Sequence, residues 1–157
     1  MSSRLVLALD ETDPARALDV AKSVAPFVAK IKINYPLVLS AGLEIVTEIS
    51  KFSPVICDFK VADIPNTNRL IAKEAFEAGA SGIIAHAFPG PESLKAIREV
   101  DSSKDMYVVI TMSHPKGGDF FDIDSFCKLA LDVGATGVVA PATRPEDVAK
   151  VRGLVGD

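Results

Sequence analysis

Val55-Ile56-Cys57-Asp58-Phe59-Lys60-Val61-Ala62-Asp63 sets two carboxylates and a lysine at the end of an apolar run. The run reads as a buried strand. On an extended chain, side chains two apart share a face. The spacing therefore predicts that Asp58 and Lys60 point into one space, with Asp63 just past the strand end. A cation held among carboxylates stays protonated and is fixed in place. Such a lysine is a proton donor with its supports built in.

Outward from this segment, short apolar runs alternate with helical patterns. Leu5–Leu9 reads as strand one, and Asp13-Pro14 as an N-cap followed by proline at the first helical position. Ala17, Leu18, Ala21, Val24 and Ala25 follow at helical spacing. Ala29–Ile33 is strand two, followed by one helix carrying Leu39, Leu43, Val46 and Ile49. Strand three, Val55–Phe59, precedes a helix with Leu70, Ile71, Ala75 and Phe76. Strands four to six are Gly82–Ala85, Met106–Thr111 and Gly137–Ala140, with helices near Glu92–Glu99 and Ser125–Val133 and a last one opened by Pro145. Asp122 and Asp124 read as caps of the helix near Ser125.

An internal echo supports the parsing. Ala78-Gly79-Ala80-Ser81-Gly82-Ile83-Ile84-Ala85 returns 55 residues later as Val133-Gly134-Ala135-Thr136-Gly137-Val138-Val139-Ala140. In each copy a glycine ends a helix and a strand follows. Continuous Val/Ile runs suit parallel strands covered on both faces.

This alternation leaves an open doubly wound sheet or a (β/α)8 barrel. Asp10, Lys32, Asp58 with Lys60, His86, Ser113 and Thr143 are each expected at or just past the carboxyl end of a strand. Six successive units giving a polar group to one rim is the pattern of a TIM barrel. No GxGxxG or P-loop is present. The expectation is a single α/β barrel domain over residues 1–157, with about six of eight βα units in these residues.

Composition narrows the function classes. The 157 residues are 48% hydrophobic and 24% charged, with mean hydropathy +0.28, which is globular. A net charge of −4 and a pI near 5.2 argue against general nucleic-acid or anionic-membrane binding. An anionic small substrate remains compatible, because local lysines matter more than the total. Cys57 and Cys127 lack CxxC spacing and read as buried thiols of a reducing compartment. No apolar stretch reaches about 18 residues, and Met1-Ser2-Ser3-Arg4-Leu5 has no signal-peptide layout. The expected location is the cytoplasm.

Six segments, in order, carry a resemblance: Leu7-Ala8-Leu9-Asp10, Lys32-Ile33-Asn34-Tyr35-Pro36-Leu37-Val38-Leu39, Asp58-Phe59-Lys60-Val61-Ala62-Asp63-Ile64-Pro65-Asn66-Thr67-Asn68, His86-Ala87-Phe88-Pro89-Gly90, Met112-Ser113-His114-Pro115 and Pro141-Ala142-Thr143-Arg144-Pro145. The chain resembles the orotidine 5′-phosphate decarboxylase family in its short archaeal form. Asp-x-Lys-x-x-Asp is shared with sugar-phosphate relatives, whereas Asp-Ile-Pro-Asn-Thr-Asn and Met-Ser-His-Pro are more specific.

The resemblance implies decarboxylation of orotidine 5′-monophosphate in pyrimidine biosynthesis, with no metal or organic cofactor. It implies that Lys60 protonates pyrimidine C6, and that Asp58 sits near the departing carboxylate and holds Lys60. Lys32 extends the charge array and binds ribose or Asp58, and Asp10 takes ribose hydroxyls. Asp63 and Thr67 reach the neighbouring subunit's site, which implies a homodimer, and Ile64 lies beside them at the substrate. Ser113 recognises the pyrimidine edge, and Pro115–Phe121 forms a mobile lid. The family's phosphate grip, a glycine-rich loop after strand seven and a Gly-Arg pair after strand eight, is absent from these 157 residues. Eight units of about 26 residues need roughly 210, so the chain is expected to be part of a longer protein.

Plainer readings stand beside these. Lys32 is equally a surface lysine, Asp10 a turn cap and Ser113 a turn serine. His86 reads as a barrel-rim histidine without chemistry and His114 as structural. Arg144 is a helix-start charge or a loop anchor. No histidine pair has metal-ligand spacing. The alternative functions are a magnesium-dependent sugar-phosphate decarboxylase or synthase, a Schiff-base enzyme using Lys60 or Lys32, and a non-catalytic barrel fragment that dimerises.

Overall fold

Asp13 starts the first helix as its sequence position requires. Its backbone is extended, and its carboxylate accepts from the amides of Ala15 and Arg16 while Pro14 takes the first helical place. The computed structural model describes residues 4–156. Met1-Ser2-Ser3, the first part of the start read above as having no signal-peptide layout, lies outside the described residues. The strands are β1 (Val6–Leu9), β2 (Lys30–Asn34), β3 (Val55–Val61), β4 (Gly82–His86), β5 (Asp105–Val109) and β6 (Gly137–Val139). The helices are α1 (Pro14–Val24), α2 (Tyr35–Ala41), α3 (Glu44–Ser50), α4 (Pro65–Glu77), α5 (Pro91–Arg98), α6 (Ile123–Asp132) and α7 (Pro145–Val155), with a 3-10 turn at Ala25–Phe27.

The strands form one sheet in chain order, β1-β2-β3-β4-β5-β6. A doubly wound sheet reverses its order at a switch point; this one does not. It is the order of a (β/α)8 barrel wall. The pairs β1–β2, β2–β3 and β5–β6 are parallel. β3 and β4 are buried almost throughout, as expected of covered parallel strands. β1 and β6, at the two ends of the sheet order, are more exposed, because each pairs with a single neighbour.

The chain folds into two compact units, Met1–Phe59 with Ile71–Ile83, and Lys60–Leu70 with Ile84–Asp157. The core of the first contains Ile31, Ile33, Leu37, Val46, Ile49 and Val55, all at 0% exposure. Burying such side chains contributes about 1.5–3 kcal/mol each. The second unit buries Leu94, Ile97, Met106, Val108 and Ile110.

The two halves of the sequence echo behave alike. Gly79 and Gly134 take positive φ, and the next alanine donates back to the fifth residue before it, Ala80 to Ala75 and Ala135 to Ala130. This is the Schellman end of a helix. The following amide then fastens the new strand to an earlier one, Ser81 to Val55 O and Thr136 to Met106 O, each at 2.8 Å.

Three expectations need correction. The single helix predicted after strand two is two helices, because Gly42 has φ 79 and ends α2 with a bond from its amide to Val38 O. Leu39 is correspondingly 82% exposed instead of facing the core. Strand three continues through Lys60 to Val61, and strand five stops at Val109 instead of Thr111. Of the two aspartates read as caps, Asp122 is the cap of α6, and Asp124, in the first turn of the helix, instead pairs with Lys150.

Candidate active site

Within the first unit, β2 and β3 bring charges together. Their register sets Lys32 opposite Ile56 and Asn34 opposite Asp58. Lys32 lies inside β2 and not at its end, which corrects the rim placement. It still reaches two residues along β3, where Nζ donates to Asp58 Oδ2 at 2.8 Å. Asp58 is 7% exposed. A carboxylate so deeply buried requires a charged or hydrogen-bonding partner, and Lys32 is one. This answers the plainer reading of Lys32 as a free surface lysine.

Asn34 shares the face of Lys32, two residues on. Its Nδ2 donates to Asp10 Oδ1 at 2.8 Å, while its buried Oδ1 makes no hydrogen bond among the described residues. Asp10 is thereby oriented by β2 and is not a cap of α1, a role filled by Asp13. Sequence reasoning quoted Asn34 within a motif but gave it no task. Its period-two relation to Lys32 was the available signal. Next along the chain from Asn34, Tyr35 stacks on Phe59 with ring centroids 4.7 Å apart. Burial, and then the neighbouring Cys57, raises the Tyr35 pKa.

The second unit begins with Lys60. Its φ of 44° lies in the left-handed region, which is uncommon for a residue with a Cβ and is held only where the surroundings over-determine it. The rule that placed Asp58 and Lys60 on one face assumes extended backbone, and Lys60 departs from it. Lys60 is half-buried. Asp63 is exposed, and its Oδ1 accepts from the Ile64 amide at 2.7 Å. Ile64 is 65% exposed, and Thr67 is half-buried in the first turn of α4.

After β5, the segment holding Ser113 is folded by its own turns, Met112 N to Gly117 O and Gly117 N to His114 O. It is also tied to the segment before α7. Arg144 Nη2 donates to Met112 O at 2.7 Å, and Thr143 Oγ1 donates to Ser113 O at 3.3 Å. Asp147 holds Arg144 Nε at 2.7 Å. Gly118 lets the guanidinium lie against the backbone: a Cβ there would stand 2.8 Å from Nη2. Gly117 likewise accommodates the His114 ring. Arg144 is therefore a loop anchor, the second of its two readings, and His114 packs locally. At the far end of the segment, Phe121 stacks with Phe88 and also meets His86 and Phe126. Among the described residues no three His, Cys, Asp or Glu side chains are grouped to hold a metal ion, and no helix is long and apolar enough to cross a membrane.

A family model described as "Orotidine 5'-phosphate decarboxylase / HUMPS family" matches residues 3–156. The chain belongs to this family. It is 53% identical to orotidine 5′-phosphate decarboxylase of Methanosarcina acetivorans over 98% of this chain and 71% of that protein. The Methanococcoides burtonii relative of the same name is 51% identical over 99% of this chain and 74% of its own length. The crystal structure of the Methanocaldococcus jannaschii decarboxylase complexed with inhibitor BMP superposes with a TM-score of 0.93 at 42% identity, over 99% of this chain and 75% of that one. The six βα units are thus those of a TIM barrel of the decarboxylase family.

Proposed function

We propose that this chain converts orotidine 5′-monophosphate to uridine 5′-monophosphate, with Lys60 as proton donor. The observation that carries the reading is the Asp58-Phe59-Lys60 segment, in which a buried carboxylate paired with Lys32 precedes a lysine in strained left-handed backbone. The relatives' names supply the substrate and the reaction, which makes the chain a carbon–carbon lyase.

In this reading the bond from pyrimidine C6 to its carboxylate breaks and carbon dioxide leaves. The electron pair stays at C6 and takes a proton from the Lys60 ammonium. The resulting amine regains a proton from solvent. Preorganised charges stabilise the developing carbanion: Lys60 opposes the charge at C6, while Lys32 and Asp58 fix the array around it. Asp10, held by Asn34, accepts from ribose hydroxyls. Ile64 packs against the substrate, and Ser113 reads the pyrimidine edge from a segment that closes over it. The test is loss of substrate absorbance with release of carbon dioxide, run in D2O with a chelator present. Deuterium at C6 of the product supports the proposal. Activity lost to the chelator would favour the metal-dependent sugar-phosphate alternative.

The proposal includes a cytoplasmic homodimer in which Asp63 and Thr67 serve the neighbouring copy's site. The exposed Asp63 and Ile64, just beyond β3, support it. Mixing inactive Lys60→Ala with impaired but measurable Asp63→Ala should raise activity above that of either variant alone once native mass spectrometry shows subunit exchange, because a hybrid has one intact site. Exchange without such a rise would place Asp63 in its own chain's site.

A further inference from the structure

Asp63 sits between β3 and α4, where neither a sheet nor a helix supplies partners for its peptide groups. Buried side chains supply them instead. The Asp63 amide donates to Asn68 Oδ1 at 2.9 Å, and Ser93 Oγ donates to the Asp63 carbonyl at 2.8 Å. Asn68 Nδ2 closes the ring by donating to the Ser93 carbonyl at 3.2 Å. Asn68 is 0% exposed and Ser93 3%. Burying a carboxamide is unfavourable unless its groups are hydrogen-bonded, and here both ends of the amide are engaged. Ser93 comes from α5, 30 residues along the chain, so the ring joins two elements and is not a local turn. Asn68 also makes the first-turn backbone bond of α4 through its own amide to Ile64 O.

The consequence falls on the Asp63 carboxylate. The peptide is held on both sides, and Oδ1 of the exposed side chain accepts from the Ile64 amide. Its Oδ2 makes no hydrogen bond among the described residues. We propose that Asn68 and Ser93 are positioning residues that fix the Asp63 carboxylate for its ligand. The inference rests on the reading of Asp63 as a substrate-site residue.

A double-mutant cycle on kcat/KM tests it, with thermal unfolding as the check of fold. Ser93→Ala removes one hydrogen bond and should lower kcat/KM roughly fivefold. In the Asp63→Ala background the same change should have no further effect, because positioning has nothing left to act on. Ser93→Thr, which keeps the hydroxyl, should recover activity. The same fivefold loss in both backgrounds would overturn the proposal, as would a folded Ser93→Ala variant with wild-type kcat/KM. Wild-type kcat/KM in Asp63→Ala alone would instead overturn the reading of Asp63. In that case amide exchange at Asp63, faster in Ser93→Ala, would still show that the ring holds the peptide.

Discussion

Lys32 Nζ lies 2.8 Å from Asp58 Oδ2, across two neighbouring parallel strands, and Asp58 is almost wholly buried. The register sets Lys32 between the apolar Ala8 and Ile56, and Asp58 opposite Asn34. Removing one partner of a buried pair leaves the other poorly solvated and is more harmful than removing both.

Lys32→Met should therefore destabilise the protein by about 2–3 kcal/mol, read from urea unfolding. The double variant Lys32→Met/Asp58→Asn should recover more than half of that loss. Wild-type stability in the single variant would show that Asp58 does not depend on Lys32.

Gly118→Ala should reduce kcat/KM roughly tenfold with little change in thermal stability. The added methyl would stand 2.8 Å from Arg144 Nη2 and push the guanidinium off the Met112 carbonyl. The Ser113 segment would lose its anchor while the core stayed intact. Unchanged kinetics would mean that the anchor has no part in the reaction.

Burial pushes the Cys57 thiol from 9.0 up to about 12. Folding favours the neutral thiol, so its contribution to stability is fully present below pH 9. That contribution is lost as the pH rises from there through about 12. At about pH 8, iodoacetamide should modify Cys57 slowly in the native protein and quickly in urea. Equal rates in the two states would contradict the burial.

The order of elements was legible because local chemistry marks it. Asp13-Pro14 starts a helix, Gly79 and Gly134 end two others, and Val/Ile runs between them make strands. Gly42 was missed because Leu39, Leu43, Val46 and Ile49 keep helical spacing across it; the left-handed break lies in the backbone and not in the apolar pattern. The charged side chains of the site were visible as motif residues. Their supports were not. Arg144 reaches Met112 from 32 residues away and Ser93 reaches Asp63 from 30, and such contacts exist only once separate elements have packed. The strain at Lys60 is likewise a tertiary outcome, since lysine has no intrinsic preference for positive φ.

Lys60 is proposed to give its proton to C6. The most direct measurement is turnover of orotidine 5′-monophosphate by folded Lys60→Ala, with the fold verified by circular dichroism and thermal unfolding. Loss of the donor and of the charge facing the carbanion together should lower kcat by at least about a thousandfold. Lys60→Arg should fail similarly, because a guanidinium is bulkier and keeps its proton. Near wild-type turnover by folded Lys60→Ala would contradict the account.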